Sequence, residues 1–303
     1  MKELIKLVYI IIKYLHYFKN NSWVMKKKLR LLKRIIKFYL INNTFAKKKR
    51  FLTRITPINE VKQLLEQLYP IACEKDFIRL GPESDGGYLV PDDLDGIEAC
   101  FSPGVSTVSG FEKDCANRNI KVFLADKSVN APAEKDDLFN FVPMFIGSMT
   151  NDSYMTLDNW VDSKMPDTSK ELLLHMDIEA AEYEVFHSLS EKTMNRFRIM
   201  VIEFHDLDQI WNLPFFGIMN RVFKKILQTH SCVHIHPNNC ASTGKLNGIE
   251  TVQAMEFTFY KKERMNKTKY QTSFPHKLDR DNCPKELPIV LPISWYKKRK
   301  LSN

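Results

Sequence analysis

The sequence predicts an α/β, doubly wound fold on a seven-stranded, mostly parallel sheet, and three observations carry that reading. From residue 97 onward, short runs of consecutive apolar residues alternate with amphipathic segments of helical spacing. Strands apolar on both faces belong to parallel sheets that helices cover on both sides. Several of the runs end in polar residues, at the carboxyl rim where such folds bind ligands. The last two runs are joined by a loop containing Gly244 and Gly248 but no helix, which predicts one antiparallel strand at a sheet edge.

Taken in order, "IEACFSPG" is the first strand, broken by Pro103-Gly104, and "SGFEKDCANRN" a helix with Phe111, Cys115 and Ala116 inward. "KVFLAD" and "NFVPMFIG" are the second and third strands. "ELLLHMD" leads into the helix "AEYEVFHSL", and "FRIMVIEFHD" into the helix "FFGIMNRVFKKILQTH". "SCVHIHPN" and "AMEFTFYKK" close the series. Upstream, "INEVKQLLEQLYPIA" reads as a helix stopped by Pro70. "FIRLGPESDGGYLVPDDL" reads as two short strands about a turn at Asp85-Gly86-Gly87. The chain thus divides into a basic extension (1–54), an entrance layer of helix and hairpin (55–96), a core (97–262) and a tail (263–303) that either covers the site or trails off.

The net charge of +9 averages two different regions. Residues 1–54 hold 16 Lys and Arg against the single acid Glu3, whereas the remainder carries 29 basic and 35 acidic side chains. Within the arm, "MKKKLRLLKRIIKFYL" has the pattern of an amphipathic basic helix suited to anionic lipid. A solvated extension, or a helix packed on another subunit, fits the same pattern. The apolar stretch "LVYIIIKYLHYF" is interrupted by Lys13, too soon for the roughly 20 residues a bilayer demands. The body has no basic face, so nucleic acid is not an expected partner. Cys73, Cys100, Cys115, Cys232, Cys240 and Cys283 form no C-x-x-C. Their spacing predicts neither a disulfide scaffold nor a zinc ribbon and suits a reducing, cytoplasmic setting, while the basic arm (1–54) is the part that could touch the inner membrane face.

Polar residues gather at the strand ends. Ser102, Gly104 and Ser106 form a strand–glycine loop–helix unit of the kind that admits a nucleotide-like ligand. Asp126 follows about 20 residues later, where a carboxylate accepts ribose hydroxyls or caps a helix. Gly86 and Gly87 allow positive φ or close approach to a ligand, and a tight hairpin turn would explain them equally well. Asp177 and Glu179 end the fourth strand, Glu203 and His205 the fifth, and each pair is expected on one strand face. On neighbouring strands they form a cluster able to hold a divalent cation such as magnesium or manganese, with His205 as ligand, general base or buried structural group. Glu179 could instead cap the next helix, with Glu182 and Glu184 solvated. His234 and His236 share a face as well, as metal ligands with Asp206 or His205 or as a polar rim. Trp160, Trp211, Phe215 and Phe216 either line a pocket or belong to the core.

Together, "RLGPESDGGYLV", "CFSPGVSTVSGFEKDCANRNIKVFLAD", "MTLDNWV", "LLLHMDIEAAEYEVF" and "RFRIMVIEFHDL" resemble the FkbM-like family of S-adenosylmethionine-dependent methyltransferases, over roughly residues 76–262. The resemblance implies the class I methyltransferase (Rossmann-like) fold. It implies a methionine-side cradle at Ser102, Gly104 and Ser106, with Glu112 in the helix that follows, Asp126 as the ribose acid, and Asp85 and Gly86 as further cofactor contacts. The family's "D-[IV]-E-G-A-E" stands here as Asp177-Ile178-Glu179-Ala180-Ala181-Glu182, with alanine for glycine at 180, a small change if φ is negative. Ser106 likewise stands where the wider superfamily often has glycine. The implied chemistry is in-line methyl transfer to a hydroxyl of a sugar, glycan or other small polar acceptor. Asp177, His205 and Glu203 are the catalytic candidates, and a metal bridging two acceptor hydroxyls would lower their pKa. A metal-dependent glycosyltransferase using Asp177-x-Glu179 is the enzymatic alternative, and a degenerate membrane-surface adaptor the non-enzymatic one. The oligomeric state and the acceptor are not set by these residues.

Overall fold

The computed structural model describes residues 52–266 and 269–297, together with Lys27, Arg30, Leu31, Lys33 and Arg34. The chain divides into two units, residues 1–54 and 55–303. Of the expected basic helix, only those five residues of the first unit are described, and they are helical and exposed. The other expectations for the arm lie outside the described residues. Among the described residues, no helix is long and apolar enough to cross a membrane.

The second unit begins with α1 (Ile58–Gln67) and the hairpin β1 (Phe77–Leu80) and β2 (Tyr88–Pro91). There follow β3 (Ile97–Pro103), α2 (Gly110–Ala116), β4 (Lys121–Ala125) and β5 (Phe139–Val142). Next are β6 (Phe145–Gly147), β7 (Tyr154–Thr156), α3 (Leu157–Lys164) and β8 (Glu171–Met176). The helices α4 (Glu182–Ser188) and α5 (Glu191–Met194) lead to β9 (Phe197–Phe204), and α6 (Leu213–Thr229) to β10 (His230–Pro237). A small hairpin, β11 (Thr243–Leu246) and β12 (Ile249–Val252), precedes β13 (Met255–Lys261).

Seven strands form the central sheet in the order β10-β13-β9-β8-β3-β4-β5. The pairs β9–β8, β8–β3, β3–β4 and β4–β5 are parallel, and β13 is antiparallel to both of its neighbours. The mostly parallel seven-stranded sheet is as expected, but the antiparallel strand is not at the edge. The 17-residue α6 carries the chain beyond the slot beside β9, so β10 becomes the outer strand and β13 returns to fill the gap. Filling it satisfies both ladders of β13, whose residues are buried up to Tyr260. The third expected strand is also split. Pro143 has no N–H to give to a ladder, so β5 stays in the main sheet while β6 pairs with β7.

Alternation along each strand sends side chains to two cores. Leu172, Leu174 and Met176 of β8, with Met200, Ile202 and Phe204 of β9, face the helical side, which α1, α3, α4, α6 and Trp295 cover. Trp160 and Phe216 belong to this core, and Trp211 and Phe215 pack against it, and none of the four lines the cavity at the sheet rim. Leu173, Ile199 and Val201 face the other side, beneath α2 and the β1–β2 hairpin. The expected entrance layer is therefore divided, its helix on one face of the sheet and its hairpin on the other.

Residues 269–297 fold back onto this unit. Leu291 and Trp295 enter the larger core, and the Trp295 indole N–H donates to the Glu250 carbonyl at 3.1 Å. Cys240 and Cys283 form a disulfide with a Cα–Cα distance of 5.5 Å. The cysteine spacing predicts no disulfide scaffold, and it does not reveal this single pair. The bond closes a span of 43 residues across a return of the chain that local spacing does not reveal.

Candidate functional site

The strand order turns at β3, with β4 and β5 on one side and β8 and β9 on the other. At this switch point the loops leaving β3 and β8 touch. A Cβ on Gly104, whose φ is +87°, would lie 1.6 Å from the Asp177 carbonyl oxygen, so only glycine fits. A cavity of about 550 Å³ opens there, within the range of small-molecule sites.

Its walls bring together Asp85, Gly86, Gly104, Ser106, Glu112, Asp126, Asp177 and Glu179 from the expected set. Ser102 is fully buried behind Glu112, and Glu203 and His205 are not among the lining residues. The Asp126 carboxylate is fixed by the Ser106 N–H on Oδ2 at 2.9 Å and by the Ser128 N–H and Oγ on Oδ1 at 2.7 and 2.6 Å. Gly86 has φ +80°, and a Cβ there would meet the Val108 side chain at 2.7 Å. Asp85 accepts from the Asn282 amide at 3.0 Å.

A buried triad backs this half of the cavity. Ser102 Oγ donates to Glu112 Oε1 at 2.5 Å, and His175 Nδ1 lies 2.9 Å from the same oxygen. Burial pushes the Glu112 carboxyl up, but His175 and Ser102 outweigh it and hold it below the usual value. The His175 ring stacks on Phe111 at 4.3 Å and lines the cavity, with its Nε2 buried and unpartnered. Sequence reasoning missed His175. The signal was available: it is the one polar residue inside "ELLLHMD", two before Asp177 and on the same face.

Across the seam the carboxylates crowd around His205. Its Nε2 lies 3.8 Å from Asp177, 3.7 Å from Glu179 and 3.7 Å from Glu203. Its Nδ1 faces Glu182 Oε1 at 3.2 Å. Asp177 and Glu179 do not share a strand face as expected. The strand ends at Met176, and Glu179 reaches the cluster through a turn in which its φ is +54° and that of Ala180 +76°. The alanine at 180 thus occupies a left-handed position, where negative φ would have made it harmless. Ser106, the other departure from glycine, has φ +46°. Glu182 is not solvated: it is fully buried and accepts from the Ile178 N–H at 3.1 Å. Glu184 is exposed.

The electrostatics follow from this crowding. Burial lowers His205, but the hydrogen bond and charge of Glu182, with Glu203 and Asp177, raise it to about 9. Burial raises Asp177 to about 7 against the opposing pull of His205 and His175. Burial also lifts Glu203 well above the carboxylate range, with Asp177 and Glu256 adding to the rise. About a third of the Asp177 side chain is exposed, and that part faces the cavity.

Behind this rim the polar wall continues over strands that sequence reasoning did not join. Register places Glu203 opposite Glu256, and Glu256 opposite His236. Asn238 donates to Glu203 at 2.8 Å, and Asn282 to Glu256 at 2.8 Å. His234 and His236 do share a side, but they face neither His205 nor Asp206. Their partner is Asp279, at 2.8 Å from His234 and 3.7 Å from His236. The segment after residue 263 therefore builds the wall behind the site. Comparison with protein-family models finds no match for this chain, and comparison with curated proteins finds none either.

Proposed function

We propose that the chain is an S-adenosylmethionine-dependent methyltransferase of the FkbM-like kind, which O-methylates a small polar acceptor such as a sugar or glycan. One observation carries the reading: the glycine seam and a fixed carboxylate at the next strand end open onto one cavity. The residues suit the cofactor. Asp126 Oδ2 keeps a lone pair for ribose after accepting from Ser106. Gly104 removes the side chain that would close the cradle, and His175 offers a buried, unpartnered Nε2 in the wall. When bound, the cofactor supplies an electrophilic methyl group on sulfonium. The chain's own part is to align the acceptor and take its proton. Asp177 faces the cavity and is raised to about 7, which suits a general base that is half-ionised near neutrality. The His205 imidazolium lies behind it, 3.8 Å away, and its charge favours the ionised carboxylate.

Titration calorimetry tests this. S-adenosylhomocysteine should bind one per chain, and Asp126→Asn should weaken it about 10- to 100-fold, because an amide meets the Ser106 N–H with a donor or loses the charge. Heat from a sugar nucleotide instead would favour the glycosyltransferase. Binding of neither, with vesicle binding retained, would favour the adaptor.

A further inference from the structure

We propose that Asp177, Glu179 and His205, with Glu203 closing the site from behind, hold a divalent cation. One oxygen or nitrogen from each of Asp177, Glu179 and His205 lies within 4.8 Å of the others. The three carboxylates stand 3.7–3.8 Å from His205 Nε2, too far for hydrogen bonds to it. That separation is instead what ligands have across a shared ion with bonds of about 2.1 Å.

Two observations beyond the acidity of the cluster point to a ligand. Glu203 is 2 % exposed; its Oε1 accepts from Asn238 and lies 3.7 Å from His205, and its Oε2 is buried with no partner. Asp177 Oδ1, also buried, has no hydrogen-bond partner. Buried oxygens of this kind are costly unless something satisfies them. Every ion pair described for Asp177, Glu179 and Glu203 is with His205, so no Lys or Arg among the described residues supplies the missing charge.

The imidazole is oriented for ligation. Its Nδ1 faces the Glu182 carboxylate at 3.2 Å, the outer contact that metal-bound histidines commonly make. An incoming cation takes the place of the Nε2 proton, leaving one proton on Nδ1 toward Glu182 and the Nε2 lone pair on the ion among the three carboxylates. Glu179, with an 88 % exposed side chain, is the ligand free to close over an incoming ion. Carboxylates with one imidazole select manganese or magnesium over soft, thiolate-preferring metals.

The test is a Mn²⁺ titration of the full chain, followed by the loss of the free-ion electron paramagnetic resonance signal, without nucleoside. One ion per chain should bind with a Kd below about 1 mM. Glu179→Gln, at an exposed position that does not threaten folding, and His205→Asn should each weaken it about 10-fold or more. Wild-type chain showing no saturable site, or Glu179→Gln binding as tightly as wild type, would overturn the proposal. The same samples treated with chelator and titrated with S-adenosylhomocysteine separate this from the methyl-transfer reading. Cofactor binding without manganese binding removes the cation site alone. Manganese binding without cofactor binding leaves the cation site and removes the methyltransferase.

Discussion

The two halves of the sheet rim treat buried charge differently. On the β3–β4 side each carboxylate has its partners: Asp126 takes three hydrogen bonds, and Glu112 is held by Ser102 and His175. On the β8–β9 side Asp177 Oδ1, Glu182 Oε2 and Glu203 Oε2 are buried without partners. A satisfied half is a rigid mould, suited to holding an unreactive part of a ligand. An unsatisfied half retains interaction energy for whatever arrives, which is where the proposed proton transfer and ion binding would act. Backbone strain follows the same line. Of the non-glycine residues with positive φ, Ser106, Glu179, Ala180 and Asp206 lie in the loops that carry the site.

The seam between the halves should be the most sensitive point. Gly104→Ala would place its Cβ 1.6 Å from one backbone oxygen and 2.6 Å from the carbon bearing it, both of Asp177. No flexible side chain is there to yield, so the β3 and β8 loops must part. The expected cost is about 4 kcal/mol or more, with loss of the proposed nucleoside binding. Urea unfolding and calorimetry on one sample measure both. A variant with wild-type stability would mean that the loops are not held together as described.

How much of this was legible beforehand depends on how local the cause is. The strands of the sheet came from apolar runs, and Asp126, Asp177 and Glu203 from their place where those runs stop. These are properties of a few adjacent residues. The position of β13 was not legible, because strand order depends on which slot remains after α6 has crossed. For the same reason Glu256 and His236 could not be joined to Glu203, nor Asp279 to His234 and His236. Burial of Glu182 follows from the one-turn geometry after a strand that ends at Met176, and the left-handed φ at Ala180 from that same turn. An alanine says nothing of its own φ.

The unsatisfied half should also set the pH dependence, and the direction can be worked out. Asp177 and His205 both accept protons only when deprotonated, so the rate rises with pH through whichever is the base. For the proposed methyl transfer without added metal, Asp177, which faces the cavity, predicts a rising limb in kcat/KM centred near 7. A limb near 9 would transfer the role to His205. Stability moves oppositely. The folded chain raises His205 from its usual value near 6.5, so the contribution of its charge is complete below that value and lost as pH rises through about 9. The melting temperature should therefore fall between pH 7 and 10, and less steeply in His205→Asn. If the two slopes match, His205 does not carry its charge among these acids.

The smallest effect is the one that most finely separates strain from packing. Ala180 has φ +76° and is only half-buried, so its methyl group contributes little contact while its backbone carries a left-handed penalty of about 1–2 kcal/mol. Ala180→Gly removes that penalty but adds freedom to the unfolded chain, worth about 0.4–1 kcal/mol in the other direction. The difference predicts a gain of roughly 0.5–1 kcal/mol, read as a higher urea midpoint at unchanged slope. Because this turn holds Glu179 beside Asp177 and His205, a relaxed turn should also fix that carboxylate less firmly. Manganese affinity should therefore fall slightly while stability rises. Stability and affinity rising together would mean that the alanine distorts the turn, and that the unsatisfied rim is strained rather than poised.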